Sequence, residues 1–296
     1  TRQRFFIENS PVRGDVVHLD AALHTILRQR HYPSAIAQLL GEMLAAAALL
    51  ASTLKMQGRL SIQAQGSGAF KWAMAECSND GDLRGLAEWN EQHDFSGLHS
   101  ANDALNALQD AVLFINIEPE GGERYQGIVP LEGESLAACL SQYYDWSAQI
   151  PTRLALSADA HSAGGLLIQL LPRTEDEKES VDTDLWPRLT LLTDTIKPAE
   201  LRDLDATEVL YRLYNEEDVR LPDADNLRFA CTCSRERVGT MLRSLGQEEI
   251  DSIIAEQGQV EIGCDFCGQH YLYDPVDAAE LFTNEADTPP SSSTLQ

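Results

Sequence analysis

Phe229-Ala230-Cys231-Thr232-Cys233-Ser234-Arg235-Glu236-Arg237 and Cys264-Asp265-Phe266-Cys267-Gly268-Gln269-His270-Tyr271 hold four of the chain's six cysteines in two tight pairs. Two close pairs joined by a long loop suit tetrahedral zinc, because each pair supplies one edge and folding brings the edges together. Gly268 can take the positive φ of a metal-binding knuckle. Arg235 and Arg237 follow the first pair, placed to offset the negative charge of four thiolates. Four cysteines close the coordination shell, which argues against a catalytic zinc with an open position. A strand-like run, His270-Tyr271-Leu272-Tyr273, follows Cys267, whereas a dithiol oxidoreductase places its C-x-x-C at the start of a helix. His270 as a substitute ligand and a purely structural zinc ribbon are the remaining alternatives.

Between the pairs, helical spacing covers 237–245 and 248–256, and a short strand follows at 260–262. That is too little apolar residue for an independent core, so metal binding, worth ~10–16 kcal/mol in small zinc domains, supplies most of the folding free energy. Zinc-bound sulfur is thiolate, the form that oxidants attack, so the same atoms that hold this region are chemically exposed to stress.

N-terminal to the pairs, Leu185, Trp186, Leu189, Leu192 and Ile196, then Leu201, Leu204, Val209, Leu210, Leu213 and Tyr214, follow helical periods. Their apolar faces must cover something. An acidic run at 174–184 separates them from a first segment in which both periods occur. Helices are expected at 16–30, 35–55 and 135–146. Strands are expected at 60–64 and 70–75, joined by Gly66-Ser67-Gly68, and at 83–89, 112–117, 125–129, 153–156 and 166–171. The fold class is therefore α+β: an antiparallel-rich sheet core domain with packed helices, a helical linker and a small C-terminal zinc-binding domain. The boundaries read 1–173 for the core, 174–229 for the linker, 230–282 for the four-cysteine zinc domain and 283–296 for a disordered Pro/Ser tail.

Lys+Arg 22 against Asp+Glu 47 gives a net charge of −25, which repels phosphate backbones and anionic lipid. The apolar run at 43–51 is too short to span a bilayer, and Glu8 and Asn9 interrupt any signal-like start. These features read as a soluble intracellular protein. Cys77 and Cys139 stand apart as incidental thiols. There is no phosphate loop, no nucleophile elbow and no His spacing for metal, so an enzyme is not expected.

The two cysteine halves resemble those of the redox-regulated 33 kDa heat-shock chaperone (33 kDa chaperonin) family. So do Val12-Arg13-Gly14, Gly122-Glu123-Arg124-Tyr125-Gln126-Gly127, Pro151-Thr152-Arg153-Leu154, Ala163-Gly164-Gly165-Leu166 and Glu208-Val209-Leu210-Tyr211-Arg212-Leu213-Tyr214. The resemblance implies a cytoplasmic, ATP-independent holdase. One zinc ion on Cys231, Cys233, Cys264 and Cys267 would mark the reduced, inactive state. Oxidation would expel it and form disulfides Cys231–Cys233 and Cys264–Cys267. The zinc domain and the metastable linker would then unfold and expose apolar surface to unfolding or oxidatively damaged proteins. It further implies a homodimer on activation, with clients using the core domain and passing later to ATP-dependent foldases. A zinc-ribbon nucleic-acid-binding or regulatory module is the alternative.

Overall fold

The computed structural model describes residues 1–131, 134–172 and 182–283. The contacts divide the chain into two compact units, Thr1–Ala230 and Cys231–Gln296. The architecture is α+β. Most of the acidic run and nearly all of the tail lie outside the described residues.

The first unit is organised around one helix, α2 (Ser34–Ala51), whose sequence SAIAQLLGEMLAAAALLA is apolar on nearly every side. A helix apolar all round must be buried all round, and the chain provides two sheets to do it. One runs β10 (Val219–Arg220), β1 (Arg2–Ile7), β2 (Val12–Leu19), β9 (Ala163–Leu170), β8 (Thr152–Ala158). The other runs β11 (Arg228–Phe229), β5 (Asp82–Trp89), β4 (Phe70–Ser78), β3 (Gly58–Gln65), β6 (Val112–Pro119), β7 (Tyr125–Val129). Pairing is antiparallel except between β11 and β5. The core that joins α2 to both sheets also takes in α1 (Ala21–Leu27), α3 (Ala101–Ala107) and α4 (Leu136–Trp146). At 18 residues α2 extends well beyond the apolar run at 43–51, and by length and composition alone it is apolar enough to cross a membrane. Here 83% of it is buried inside the unit.

The first sheet is covered on its other face too. On β2 and β9, Val17, Leu19, Ala163 and Leu167 face the α2 core, while Val12, Val16, Leu166 and Ile168 join a second cluster with Phe5 and Ile7. That second cluster is completed by α5 (Leu185–Thr193), α6 (Pro198–Asp203) and α7 (Ala206–Tyr214), through Leu185, Leu189, Leu201, Val209, Leu210, Leu213 and Tyr214. These helices form a docked cover on the first sheet. Double coverage explains why β9 is buried along almost its whole length. Gly164 permits the closest approach: a Cβ there would collide with the Leu201 carbonyl of α6.

Two expectations are corrected. Residues 16–19 belong to strand β2 and not to a helix, because a strand buried on both faces lacks the alternation that identifies it. The second helix ends at Ala51 and not at 55, where Ser52 and Thr53 turn their hydroxyls back onto the Leu49 and Leu50 carbonyls. β1, α3 and α10 (Pro275–Thr283) went unread.

After α7 the chain becomes an extended strap. Val219 and Arg220 pair with β1, Asp225 exchanges backbone hydrogen bonds with Arg2, and Arg228 and Phe229 pair with β5. Gly81, at φ 83°, makes room for the Asn226 carbonyl.

The second unit contains α8 (Arg235–Leu245), α9 (Gln247–Gln257), the hairpin β12 (Val260–Gly263) and β13 (His270–Tyr273), and α10. Its core is small: among the described residues only Leu242, Ile250, Val260, Tyr273 and Ala278 are fully buried and apolar.

Candidate metal centre

The four cysteines come from two local structures, each fixed by its own hydrogen bonds. Cys231 and Cys233 precede α8, whose N-cap Ser234 accepts from the Arg237 N–H at 3.2 Å. Cys264 and Cys267 sit in the turn of the β12–β13 hairpin. There the Cys264 N–H donates to the Gln269 carbonyl and the Gly268 N–H to the Cys264 carbonyl, both at 2.8 Å. Gly268 has φ 69°, the left-handed value this turn requires.

The four sulfurs all lie within 4.8 Å of one another. The short contacts run between the halves, Cys231 to Cys264 at 3.6 Å and Cys233 to Cys267 at 3.4 Å. A tetrahedron with metal–sulfur bonds of about 2.3 Å has edges of about 3.8 Å, so the spacing suits one ion at the centre. These four residues are positioned to hold a metal ion, and among the described residues they form the one such cluster.

Around the sulfurs, one contact was missed by the sequence reading. The Tyr271 hydroxyl donates to Cys233 Sγ at 3.1 Å. Tyr271 stands on β13 close after the second pair, but only the hairpin register turns its ring toward the first. Without metal, burial works against the Cys233 thiolate, yet hydrogen bonds from Tyr271 and the neighbouring thiols outweigh it and bring the thiol down to about 7. Burial pushes Cys231 and Cys267 up.

Arg235 has several partners of its own. Arg235 donates to the Leu272 carbonyl at 2.8 Å, pairs with Asp277 at 2.8 Å and lies over the Tyr273 ring at 4.3 Å, while the Tyr273 hydroxyl donates to the Arg235 carbonyl at 2.6 Å. It ties α8 to β13 and α10, where the sequence reading had it offset thiolate charge. His270, considered as a substitute ligand, has its Nδ1 on Glu261 at 2.7 Å. Cys77 and Cys139 are buried in the first unit, and burial pushes the Cys77 thiol up to about 12.

The model of the family described as "Hsp33 protein" matches residues 1–274. A 33 kDa chaperonin of Methylobacillus flagellatus is 44% identical over 288 residues, covering 97% of this chain and 95% of that protein. One of Shewanella loihica is 44% identical over 291 residues, covering 96% and 97%. Among solved structures, the 33 kDa chaperonin of Thermotoga maritima superposes with a TM-score of 0.79 at 19% identity, over 97% of this chain and 99% of that one. At that identity it speaks for the fold alone.

Proposed function

Because the chain belongs to the Hsp33 family, we propose that it is a holdase chaperone switched on by oxidation of Cys231, Cys233, Cys264 and Cys267. The observation that carries this reading is the pairing of four clustered thiols with a core of five buried apolar residues. A unit so poor in core depends on its metal for folding.

The ion we assign is zinc. Four sulfur donors and no oxygen suit a soft or borderline cation in tetrahedral coordination and disfavour magnesium or calcium. Zinc, when bound, supplies the cross-link between the α8 segment and the hairpin. Oxidation removes the donors. A thiolate sulfur attacks peroxide, the O–O bond breaks and hydroxide leaves, giving a sulfenic acid. A second thiolate attacks that sulfur, the S–O bond breaks and hydroxide leaves, giving a disulfide. Each bridge consumes one peroxide and releases two hydroxides, which two protons from solvent convert to two waters.

Two pairings are available. The short contacts favour Cys231–Cys264 and Cys233–Cys267 in the folded unit. Once the unit opens, loop closure favours sequence neighbours, and we assign Cys231–Cys233 and Cys264–Cys267 to the active state.

The consequence for the first unit runs through the backbone. The Ala230 N–H donates to the Leu83 carbonyl, and the next residue is Cys231. Unfolding at the thiols begins one peptide bond from the strap, and the metastable cover, residues 182–214, follows it off the sheet. This bares Phe5, Ile7, Val12, Val16, Leu166 and Ile168, a contiguous apolar surface for unfolding or oxidatively damaged proteins. Dimerisation on activation, hand-over to ATP-dependent foldases, a cytoplasmic site of action and the lack of catalysis complete the reading. Nucleic acid is disfavoured by the charge of −25, and Arg235, one of the two arginines after the first cysteine pair, is engaged with Asp277.

The test is aggregation of heat-unfolded citrate synthase with reduced, zinc-loaded and with peroxide-treated protein. Protection by the oxidised form only is the expected result. Equal protection in both states removes the switch, and protection in neither removes the chaperone.

A further inference from the structure

The strap is a poor strand in a strand's place. The amides of Arg2 and Glu8 both point outward from β1, donating to the Asp225 and Asp218 carbonyls at 2.9 Å. Groups two residues apart on a strand face the same way, so Arg4 and Phe6 present their amides and carbonyls on the same edge. Phe6 is opposite Arg220. The register then slips: Arg220 faces Phe6 but Asp225 faces Arg2, so five steps along the strap match four along β1. The slack falls around Pro222, which has no N–H to offer Arg4. The Gln3 side chain bridges the gap instead, donating to the Arg4 carbonyl at 2.9 Å and the Pro222 carbonyl at 2.6 Å.

Side chains hold the strap at other points: Arg220 pairs with Glu8 and lies over the Phe6 ring, Arg228 pairs with Asp82, and Arg2 forms a clasp. Arg2, only 5% exposed, donates to the Ala48 and Asn79 carbonyls and to the Asp225 carboxylate at 2.9 Å. The Asp225 side chain is 60% exposed. The guanidinium is thus a fixed part of the body and the carboxylate a removable one. Beside this edge, Val219 packs its side chain against the cluster shared by Phe5, Ile7 and the cover helices.

An exposed strand edge recruits other chains, and proteins manage that hazard by covering the edge. We propose that the outer edge of β1, vacated by residues 218–225, takes up extended segments of unfolding proteins by strand addition. The incoming segment is an alternating one. It hydrogen-bonds Arg2, Arg4, Phe6 and Glu8 in unbroken register and sets apolar side chains where Val219 sits. An uninterrupted strand satisfies the Arg4 groups that Pro222 leaves to Gln3, so a client segment outcompetes a strap already loosened. Backbone pairing is indifferent to sequence, which suits a site that meets many different unfolded chains. This rests on the holdase reading and assigns the contact that such a holdase makes.

The probe is a fluorescent peptide of residues 217–226 added to the full chain. Oxidised protein should bind it and reduced, zinc-loaded protein should not. N-methylation at Arg220 and Asp225 removes two donors to β1 and should weaken binding about 30-fold, as two net hydrogen bonds predict. N-methylation at Val219, whose amide the register turns away from β1, should leave it unchanged. With heat-unfolded citrate synthase held by the oxidised protein, the Arg2 and Glu8 amides should be protected from exchange. Equal binding of all three peptides, or fast exchange of those amides while the client is held, overturns the proposal. So does a dimer that forms by exchange of straps and excludes both peptide and client from β1. If aggregation is suppressed while β1 stays unprotected, strand addition fails and the holdase stands. If it is never suppressed, the holdase fails.

Discussion

The carbonyl oxygen of Leu201 on α6 occupies the space that a side chain on Gly164 of β9 would fill. Backbone thus lies on backbone where the cover meets the sheet, and neither side can yield as a flexible side chain would. Gly164→Ala should push α6 outward and destabilise the cover by about 1–3 kcal/mol, the usual cost of overpacking. The reduced, zinc-loaded variant should then suppress aggregation partially, with faster amide exchange in α6. Retention of wild-type exchange in α6 would show that the contact does not hold the cover.

Tyr271 tests the metal centre without touching a ligand. Its hydroxyl reaches Cys233 Sγ at 3.1 Å, and loss of such an outer hydrogen bond commonly lowers metal affinity about 10-fold or more. Tyr271→Phe should give that loss in competition with a chromophoric chelator. Tyr273→Phe, which removes a bond to the Arg235 carbonyl, should leave affinity closer to wild type while lowering stability. Equal affinities in Tyr271→Phe and the parent would assign the hydroxyl no role at the metal.

Cys264→Ser removes one donor of the proposed set. Zinc content should fall below one per chain, and α8 to α10 should lose protease resistance, because a core of five buried residues does not hold them. A fully loaded, protease-resistant variant would contradict the ligand assignment.

Glu42 is a carboxyl within the apolar α2, and burial raises its pKa to about 8. The folded unit therefore binds a proton that the unfolded chain releases near the ordinary glutamate pKa. The Glu42 contribution to stability is present below the unfolded pKa and is lost as pH rises through about 8. Glu42→Gln should stabilise the first unit at pH 8.5, by up to about 5 kcal/mol, and far less at pH 5. Chemical denaturation at the two pH values checks this, and an equal effect at both would remove burial as the cause.

Much of this was legible in the sequence because it rested on spacing. The cysteine pairs, the periodic apolar positions from Leu185 to Tyr214 and the hairpin turning at Gly66-Ser67-Gly68 are local patterns with few alternative readings. What escaped was decided by tertiary placement. β2 hides its period because α2 covers one face and the cover helices the other. β10 and β11 are two residues each, too short for any pattern, yet they occupy the outer places in both sheets. Arg235 carries the right charge near the right residues, but its partner Asp277 comes from another helix. α3 did carry a signal, the Ser100–Asp103 capping box, which a search for long apolar periods passes over.

The central claim is that the state of the four thiols controls the cover on the first sheet. Amide exchange across α5, α6 and α7, measured in reduced zinc-loaded protein and again after peroxide, tests it most directly. The account predicts that the Val209, Leu210 and Leu213 amides lose protection on oxidation in step with zinc release, while α2, β2 and β9 keep theirs. Zinc loss with the cover's protection unchanged would contradict it.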